Sequence, residues 1–372
     1  IYFLLLSILL PGYASATQAM KRNVVFILSD DHRFDFMGFT GKLPWLKTPH
    51  MDNMADRGVY FDQAYVTTSL CSPSRASILT GLYAHTHTIV DNQAPNPGNL
   101  TYFPEYLQEA GYQTAFFGKW HMGDESDDPQ PGFHHWESFK GQGVYTGVTL
   151  NINGEHTSYE DTVYTSDLLT EHAVEWMEQL ESDQPFFVYL SHKAVHSEFK
   201  QAARHAGMYA GVDYELPATY SQTQDGSYKE LLWPEWVKQQ RHSWHGVDYM
   251  YHAKGAVGDL VIDYCETLMG VDESIGTVMA YLEARGIADE TVVIYMGDNG
   301  FSWGEHGLID KRHFYEESAK VPLLVTCPKL FEGGETLHSL VQNIDIAPTI
   351  MAMAGLDKKP EMHGDSFLPL LV

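Results

Sequence analysis

Residues 23–32 read NVVFILSDDH, an apolar run that is followed at once by four polar residues. A continuous β-branched and aromatic run of this kind predicts a strand that is buried on both faces, as in a parallel sheet covered by helices. In open α/β sheets, ligands bind beyond the carboxyl ends of the strands. We therefore expect residues 23–28 to form a central strand and the polar residues after it to belong to a site.

Similar apolar runs alternate with helical patterns along the rest of the chain. Predicted strands lie at residues 114–117, 185–190, 291–296 and 321–326, and predicted helices at 48–57, 104–110, 164–180, 260–285 and 344–354. This alternation predicts an α/β fold with a mainly parallel central sheet flanked by helices. Residues 205–252 are rich in Trp and Tyr and fit neither period, so we expect an irregular insertion there.

The charge balance excludes several classes of partner. The chain of 372 residues has 23 Lys plus Arg against 49 Asp plus Glu, a formal net charge of -26, and no dense basic run. Nucleic acids and anionic membrane surfaces are bound by clustered cations, so neither is expected as a partner. A hydrophobic fraction of 44% and an aromatic fraction of 13% predict a folded globular chain.

The first residues are typical of a targeting segment. Residues 1–10 are almost wholly apolar, Pro11 and Gly12 interrupt the run, and Ala14 to Ala16 offer a small-residue cleavage site. The run is too short for a bilayer, which needs about 20 helical residues. We predict a partial signal peptide over residues 1–19, a secreted or periplasmic protein and no transmembrane segment. A buried first strand is the alternative.

Ionisable or metal-binding groups follow four of the predicted strands. The segments are SDDH at 29–32, GKWH at 118–121, SHKAVH at 191–196 and GDNG at 297–300. Carboxylate and amide oxygens are the ligands that Ca²⁺ and Mg²⁺ prefer. Asp30, Asp31, Asp298 and Asn299 are therefore candidate ligands of such an ion.

Residues 69–81 read SLCSPSRASILTG and carry the sharpest local pattern. Pro73 suits the first turn of a helix, and Arg75 would lie beside Cys71 near that helix N-terminus. A helix N-terminus with an arginine predicts an anion site. Cys265, in a predicted helix, and Cys327, beside a proline, are better candidates for inert core thiols.

The 69–81 segment resembles the sulfatase signature, including the C-x-P-x-R core formed by Cys71, Pro73 and Arg75. Residues 111–121, GYQTAFFGKWH, resemble the second motif of that family and depart from it in the bulky Phe117. Later blocks at 297–300, 305–307, 310–312, 315–318 and 341–349 are also similar to the family. The resemblance implies an alkaline-phosphatase-like catalytic domain over residues 20–372 that hydrolyses sulfate esters.

The resemblance also implies a cofactor set and residue roles. Cys71 would be converted to formylglycine by a formylglycine-generating or anaerobic sulfatase-maturing enzyme, and its hydrate would attack sulfur. Ca²⁺ or Mg²⁺ would be bound by residue 71 together with Asp30, Asp31, Asp298 and Asn299. Five residues would surround the sulfate: Arg75, Lys119, His121, His196 and Lys311. Among these, His121 would act as base, and His196 or Lys311 would protonate the leaving oxygen.

The substrate class is less closely defined by the sequence. We expect a sulfated small molecule or glycan, with His192, Trp244 and His245 as candidate substrate contacts. A phosphodiesterase or phosphonate monoester hydrolase of the same superfamily, and an inactive binder of sulfated glycans, are the alternatives. Family members usually continue beyond a block like residues 363–370 into a smaller C-terminal subdomain, which we expect to be absent from this chain.

Overall fold

The computed structural model describes residues 21–122, 126–181, 184–223, 234–248 and 255–372. The predicted signal peptide, residues 1–19, lies outside this range. Within it, the strands in chain order are β1 Val24–Ser29, β2 Val59–Phe61, β3 Ala64–Tyr65, β4 Gln113–Lys119, β5 His135–Phe139, β6 Thr149–Ile152, β7 Glu155–Ser158, β8 Phe186–Ser191, β9 Val292–Gly297, β10 Ser302–Trp303, β11 Ile309–Asp310, β12 Leu323–Thr326, β13 Glu335–Leu337 and β14 Val341–Gln342.

Ten of these strands form one sheet in the order β13-β2-β12-β9-β1-β8-β4-β5-β6-β7. The five central neighbours from β9 to β5 are parallel, whereas β12 and β6 pair antiparallel with the two ends of this block. In the register of the parallel block, Ser191 lies opposite both Leu28 and Gly118, and Ser29 lies opposite Gly297. The loops after β1, β4, β8 and β9 therefore start at one level.

Helices cover both faces of the sheet. They are α1 Pro49–Arg57, α2 Cys71–Thr80, α3 Ala84–His87, α4 Phe103–Glu109, α5 Thr165–Glu178, α6 Glu235–Gln240, α7 Val257–Ala284, α8 Glu316–Ala319, α9 Ile346–Met353 and α10 Leu368–Leu371. Alternate residues of β1 join two separate cores: Val25 and Ile27 pack in the core with α1, α5 and α7, while Phe26 and Leu28 pack in the core with α2, α4 and α9. The prediction of an α/β sheet flanked by helices is confirmed.

Several strands have no counterpart in the sequence-based expectation. The strands β5, β6 and β7 extend the sheet beyond β4, and the run at 321–326 forms an antiparallel strand rather than a parallel one. Apolar periodicity does not reveal β5 because Glu137 lies in it, buried and hydrogen-bonded to His135 and His172. All four residues of β7 are exposed, so that strand has no apolar face to detect.

The described part of residues 205–252 packs on the edge of the site. It contains a 3-10 helix at Tyr220–Thr223 and α6, and is otherwise irregular. The Tyr209 backbone N–H donates to Glu266 of α7 at 3.1 Å, and the Ile309 N–H donates to the carbonyl of His245 at 2.8 Å. The segment is thus tied both to a core helix and to the strand that precedes Lys311.

Among the described residues, none of the helices combines the length and the apolar character needed to cross a membrane. The longest helix, α7, has 28 residues.

Candidate active site

The loops after β1 and β9 bring the four predicted metal ligands together. Asp30, Asp31, Asp298 and Asn299 are all fully buried. The Asp31 N–H donates to Oδ1 of Asp298 at 3.0 Å, and Asp31 has a left-handed φ of 55°. One carboxylate oxygen from each of the three aspartates lies within 4.8 Å of the others. The parallel register of β1 and β9 therefore produces this cluster directly.

Two oxygen atoms in the cluster have no hydrogen-bond partner among the described residues. They are Oδ2 of Asp31 and Oδ1 of Asn299. The Asn299 amide donates to Asp31 Oδ1 at 2.7 Å and to the Gly300 carbonyl at 2.8 Å, so its oxygen is turned the other way. Buried acceptors without donors cost free energy unless something else satisfies them. An all-oxygen set of this kind fits a hard divalent cation.

The pKa values of the adjacent carboxyl groups Asp30 and Asp31 are shifted in opposite directions. Burial opposes ionisation of Asp30, but Lys119, His196, Arg75 and Lys311 outweigh it and hold the pKa of Asp30 well below its usual range. Burial raises the pKa of Asp31 to about 8, although Lys311 pairs with it. A bound cation would favour the ionised form of Asp31, as opposite charges do.

Cys71 lies at the first position of α2, against this cluster. Its Sγ is 3.5 Å from Asp30 Oδ1, and the ligand atoms of Asp30, Cys71 and His196 lie within 4.8 Å of one another. Burial, reinforced by Asp30, raises the pKa of the Cys71 thiol to about 12. The unmodified side chain is thus a neutral thiol, which is a weak nucleophile.

Three buried cations surround Cys71 and the carboxylates. Arg75 donates from Nε to Asp298 at 2.9 Å and from Nη1 to the Lys119 carbonyl at 2.6 Å and Ser191 Oγ at 2.7 Å. Lys119 pairs with Asp30, and Lys311 pairs with Asp31. Because the guanidinium is held by two strand ends and a carboxylate, its position is preorganised.

Two histidines complete the set expected from the sequence. Burial and the nearby Lys119 lower the pKa of His121 to about 2, and burial holds the pKa of His196 well below its ordinary value. His196 Nε2 is 3.9 Å from Asp31 Oδ2. Both shifts disfavour the protonated imidazolium form.

The three predicted substrate contacts lie in different places. His192 is fully buried, and its Nε2 is 3.0 Å from Ser274 of α7, so this ring faces the helix layer. His245 Nδ1 is 2.6 Å from Asp310 Oδ2, next to Lys311, and the adjacent Trp244 is 58% exposed. Of the three predicted contacts, only the pair at 244 and 245 therefore lies next to the segment that contains Lys311.

Sequence reasoning missed two polar residues beside the cluster. Gln142, in the loop between β5 and β6, accepts a hydrogen bond from Lys119 at 2.5 Å and lies 3.4 Å from His121 Nε2. Lys193 is buried over the ring of Tyr145, and burial lowers the pKa of its amine to about 8. Lys193 stands in a segment already singled out as SHKAVH, whereas Gln142 follows a strand with no apolar pattern.

Comparison with known proteins agrees with this geometry. The family model described as Sulfatase matches residues 22–356. An N-acetylglucosamine-6-O-sulfatase of Bacteroides thetaiotaomicron is 32% identical over 95% of this chain and 71% of its own length. The human N-acetylglucosamine-6-sulfatase is 31% identical over 97% of this chain and 66% of its own length, so the chain spans about two thirds of that relative.

A solved structure of a protein in complex with its substrate D-glucosamine-2-N,6-O-disulfate has the same fold. It superposes with a TM-score of 0.80 at 30% identity, covering 94% of this chain and 80% of the other. The match of the family model and of relatives over almost all described residues, with the signature cysteine at the three-aspartate cluster, shows that this chain belongs to the sulfatase family.

Proposed function

We propose that this chain hydrolyses a sulfate ester on a glucosamine-type sugar, with the 6-O-sulfate as the scissile group. The observation that carries the proposal is the position of Cys71 against a buried three-aspartate cluster, inside a ring of fixed cations. Two relatives with 31–32% identity are named as N-acetylglucosamine 6-sulfatases, which supports this choice of sugar and sulfate position.

The proposal requires conversion of Cys71 to formylglycine and binding of Ca²⁺ or Mg²⁺. A formylglycine-generating or anaerobic sulfatase-maturing enzyme would make the conversion. Asp30, Asp31, Asp298 and Asn299 would hold the cation together with residue 71. When present, the hydrated aldehyde supplies the nucleophile and the cation polarises it. The raised pKa of the Cys71 thiol supports this requirement, because the unmodified residue is protonated at neutral pH.

The buried cationic side chains would act on the sulfate group. Arg75, Lys119 and Lys311 are buried and held by carboxylates or backbone oxygens, so they would stabilise charge on the sulfate oxygens without reorganising. His121 would accept a proton, and His196 or Lys311 would donate one to the leaving sugar oxygen.

The sugar itself would be bound at the rim near Lys311. Asp310 Oδ2 receives a hydrogen bond from Arg312 Nε at 3.0 Å and lies 2.6 Å from His245 Nδ1. These three polar side chains flank the sulfate-binding lysine, and Trp244 is exposed beside them. Polar groups of this kind pair with sugar hydroxyls, while an indole face packs on a pyranose ring. We place the protein outside the cytoplasm, as the apolar segment at residues 1–19 predicts.

The decisive experiment compares substrates with the protein matured in its host. Activity should be highest on N-acetylglucosamine 6-sulfate or its N-sulfated analogue, lower on galactosamine 4-sulfate, and lowest on a phosphate diester of a chromogenic alcohol. A higher kcat/KM on the diester than on the matching sulfate would reject the sulfatase assignment. A preference for the 4-sulfate would reject the sugar assignment alone.

Mass spectrometry of the peptide that contains residue 71 separates catalysis from simple binding. We expect aldehyde oxygen in place of sulfur. An intact thiol in host-matured protein, together with tight binding of the sulfated sugar, would favour an inactive binder.

A further inference from the structure

Gln142 bridges two of the proposed active-site residues. It lies on the tight turn after β5, where the Gly143 N–H donates to the Lys140 carbonyl at 3.1 Å. A Cβ at Gly143 would fall 2.3 Å from the Phe139 ring, and this glycine has a φ of 65°. The close packing of the turn therefore fixes the backbone position of Gln142.

The orientation of the Gln142 amide follows from its first partner. A lysine ammonium has donors only, so the atom that contacts Lys119 Nζ at 2.5 Å must be the amide oxygen. The amide NH₂ group then faces His121 Nε2 at 3.4 Å, a long hydrogen-bond distance. An NH₂ group can only donate, so this contact is a hydrogen bond when His121 Nε2 carries the lone pair and Nδ1 the proton.

We propose that Gln142 is a positioning residue that sets the tautomer of His121 and the direction of the Lys119 ammonium. The amide is neutral and does not exchange protons itself. His121 Nδ1 has no hydrogen-bond partner among the described residues, so without Gln142 neither ring nitrogen would be selected. The inference rests on the proposed function in assigning proton acceptance to His121, but the tautomer itself can be observed without turnover.

Two substitutions separate the bonds that Gln142 makes. Gln142→Glu keeps an acceptor for Lys119 but offers His121 only another acceptor, which draws the imidazole proton to Nε2. Gln142→Leu removes both contacts. We expect kcat to fall about 10- to 100-fold in each variant, as for other residues that orient active-site groups, with KM changing less than kcat.

Nitrogen NMR of protein labelled at histidine provides the readout that is independent of activity. The His121 signals are identified by their loss in His121→Asn. We expect the Nδ1–H tautomer in the unaltered protein and a shift to Nε2–H in Gln142→Glu. An unchanged tautomer in Gln142→Glu, or an unchanged kcat in both variants, would overturn the proposal.

A matched pair of controls tests the effect of the chemical change alone. Gln179 is exposed at the C-terminal end of α5, and Gln179→Glu and Gln179→Leu should leave kcat and the His121 signals unchanged. If Gln142→Leu fails to fold, the nearly isosteric Gln142→Glu still carries the test. If the unaltered protein has no sulfatase activity, that result would count against the proposed function. The tautomer measurement on His121 would still stand.

Discussion

Asp30 and Asp31 are neighbours in sequence with opposite titration behaviour. Four cationic or imidazole groups face Asp30 and lower its pKa, while burial dominates at Asp31. Burial penalises a lone buried charge, and close opposite charges offset that penalty. The surroundings therefore favour the ionised form of Asp30, whereas ionisation of Asp31 would be favoured by a nearby cation.

Replacement of Cys71 by Ala should abolish turnover and barely change stability. The side chain contacts charged groups rather than an apolar core, so its loss removes little hydrophobic stabilisation. Thermal unfolding and the sulfate-ester assay together check this. Cys265→Ala is the contrasting control, because that thiol is fully buried in the core with α7. It should lower stability by about 1 kcal/mol and leave kcat intact. Activity in Cys71→Ala would mean that the nucleophile is elsewhere.

The contact between β4 and β8 depends on one glycine. Gly118 has a φ of 109°, and a Cβ there would lie 1.9 Å from the Ser191 carbonyl oxygen. Both strands lead into the site, because Lys119 follows Gly118 and the segment after Ser191 contains His196. A side chain at 118 would therefore disturb the sheet and the site together.

We expect Gly118→Ala to lower the free energy of unfolding by about 1–3 kcal/mol or more and to reduce kcat. Urea denaturation and the activity assay measure the two effects. Gly258→Ala serves as the control, since its nearest neighbour would be Tyr214 Cβ at 3.6 Å and it lies in α7. That change should be neutral or slightly stabilising. Equal stability of the two variants would contradict the expected clash.

The imidazole of His172 ties α5 to the buried Glu137 of β5. Its Nδ1 is 2.6 Å from Glu137 Oε2, and this hydrogen bond raises the pKa of His172. Burial opposes ionisation of Glu137, but hydrogen bonds from His135 and His172 lower its pKa below the usual value. The contribution of His172 is thus fully present below its unfolded pKa of about 6.5, and that of Glu137 above its unfolded pKa of about 4.3.

His172→Ala should therefore cost most stability between about pH 4.3 and 6.5. The cost should shrink as pH rises through the raised pKa of His172 and as it falls through the lowered pKa of Glu137. Urea denaturation across this pH range measures it. His338→Ala is the control, because His338 pairs with Asp62 while 76% exposed and should cost little at any pH. A cost in His172→Ala that does not vary with pH would reject the linkage.

The net charge of -26 and an anionic substrate are compatible because the site's charge is local. Arg75, Lys119 and Lys311 are buried in one place, where a low dielectric strengthens their field and salt screens it little. Attraction of a sulfate group should depend on this pocket and the proposed cation rather than on the molecule as a whole.

Calcium should stabilise the whole molecule because its proposed ligands come from two distant parts of the chain. Added to metal-free protein at about 100 times its Kd, Ca²⁺ should raise the free energy of unfolding by about 2.7 kcal/mol. Thermal unfolding with and without the ion measures the shift. Asp298→Asn should reduce that shift, while the exposed Asp357→Asn should keep it. No shift in the unaltered protein would argue against a cation at this cluster.

Much of this protein could be predicted from local patterns. The buried strand after Asn23, the helix beginning at Cys71 and the polar residues after four strands depend on nearest neighbours in sequence, where periodicity and helix-start signals operate. The carboxyl ends of parallel strands meet at one edge, so the same reasoning also brought the aspartates, Lys119 and His196 to one region.

The partners of each side chain depended on tertiary structure. Lys119 pairs with Asp30 across 89 positions and Lys311 with Asp31 across 280, and only strand order and register place such residues together. Register likewise turned His192 toward Ser274. It also brought Gln142, on the turn after a strand without an apolar pattern, between Lys119 and His121. Local sequence patterns indicate which residues form the site, whereas the charges and orientations of those residues result from burial and long-range pairing.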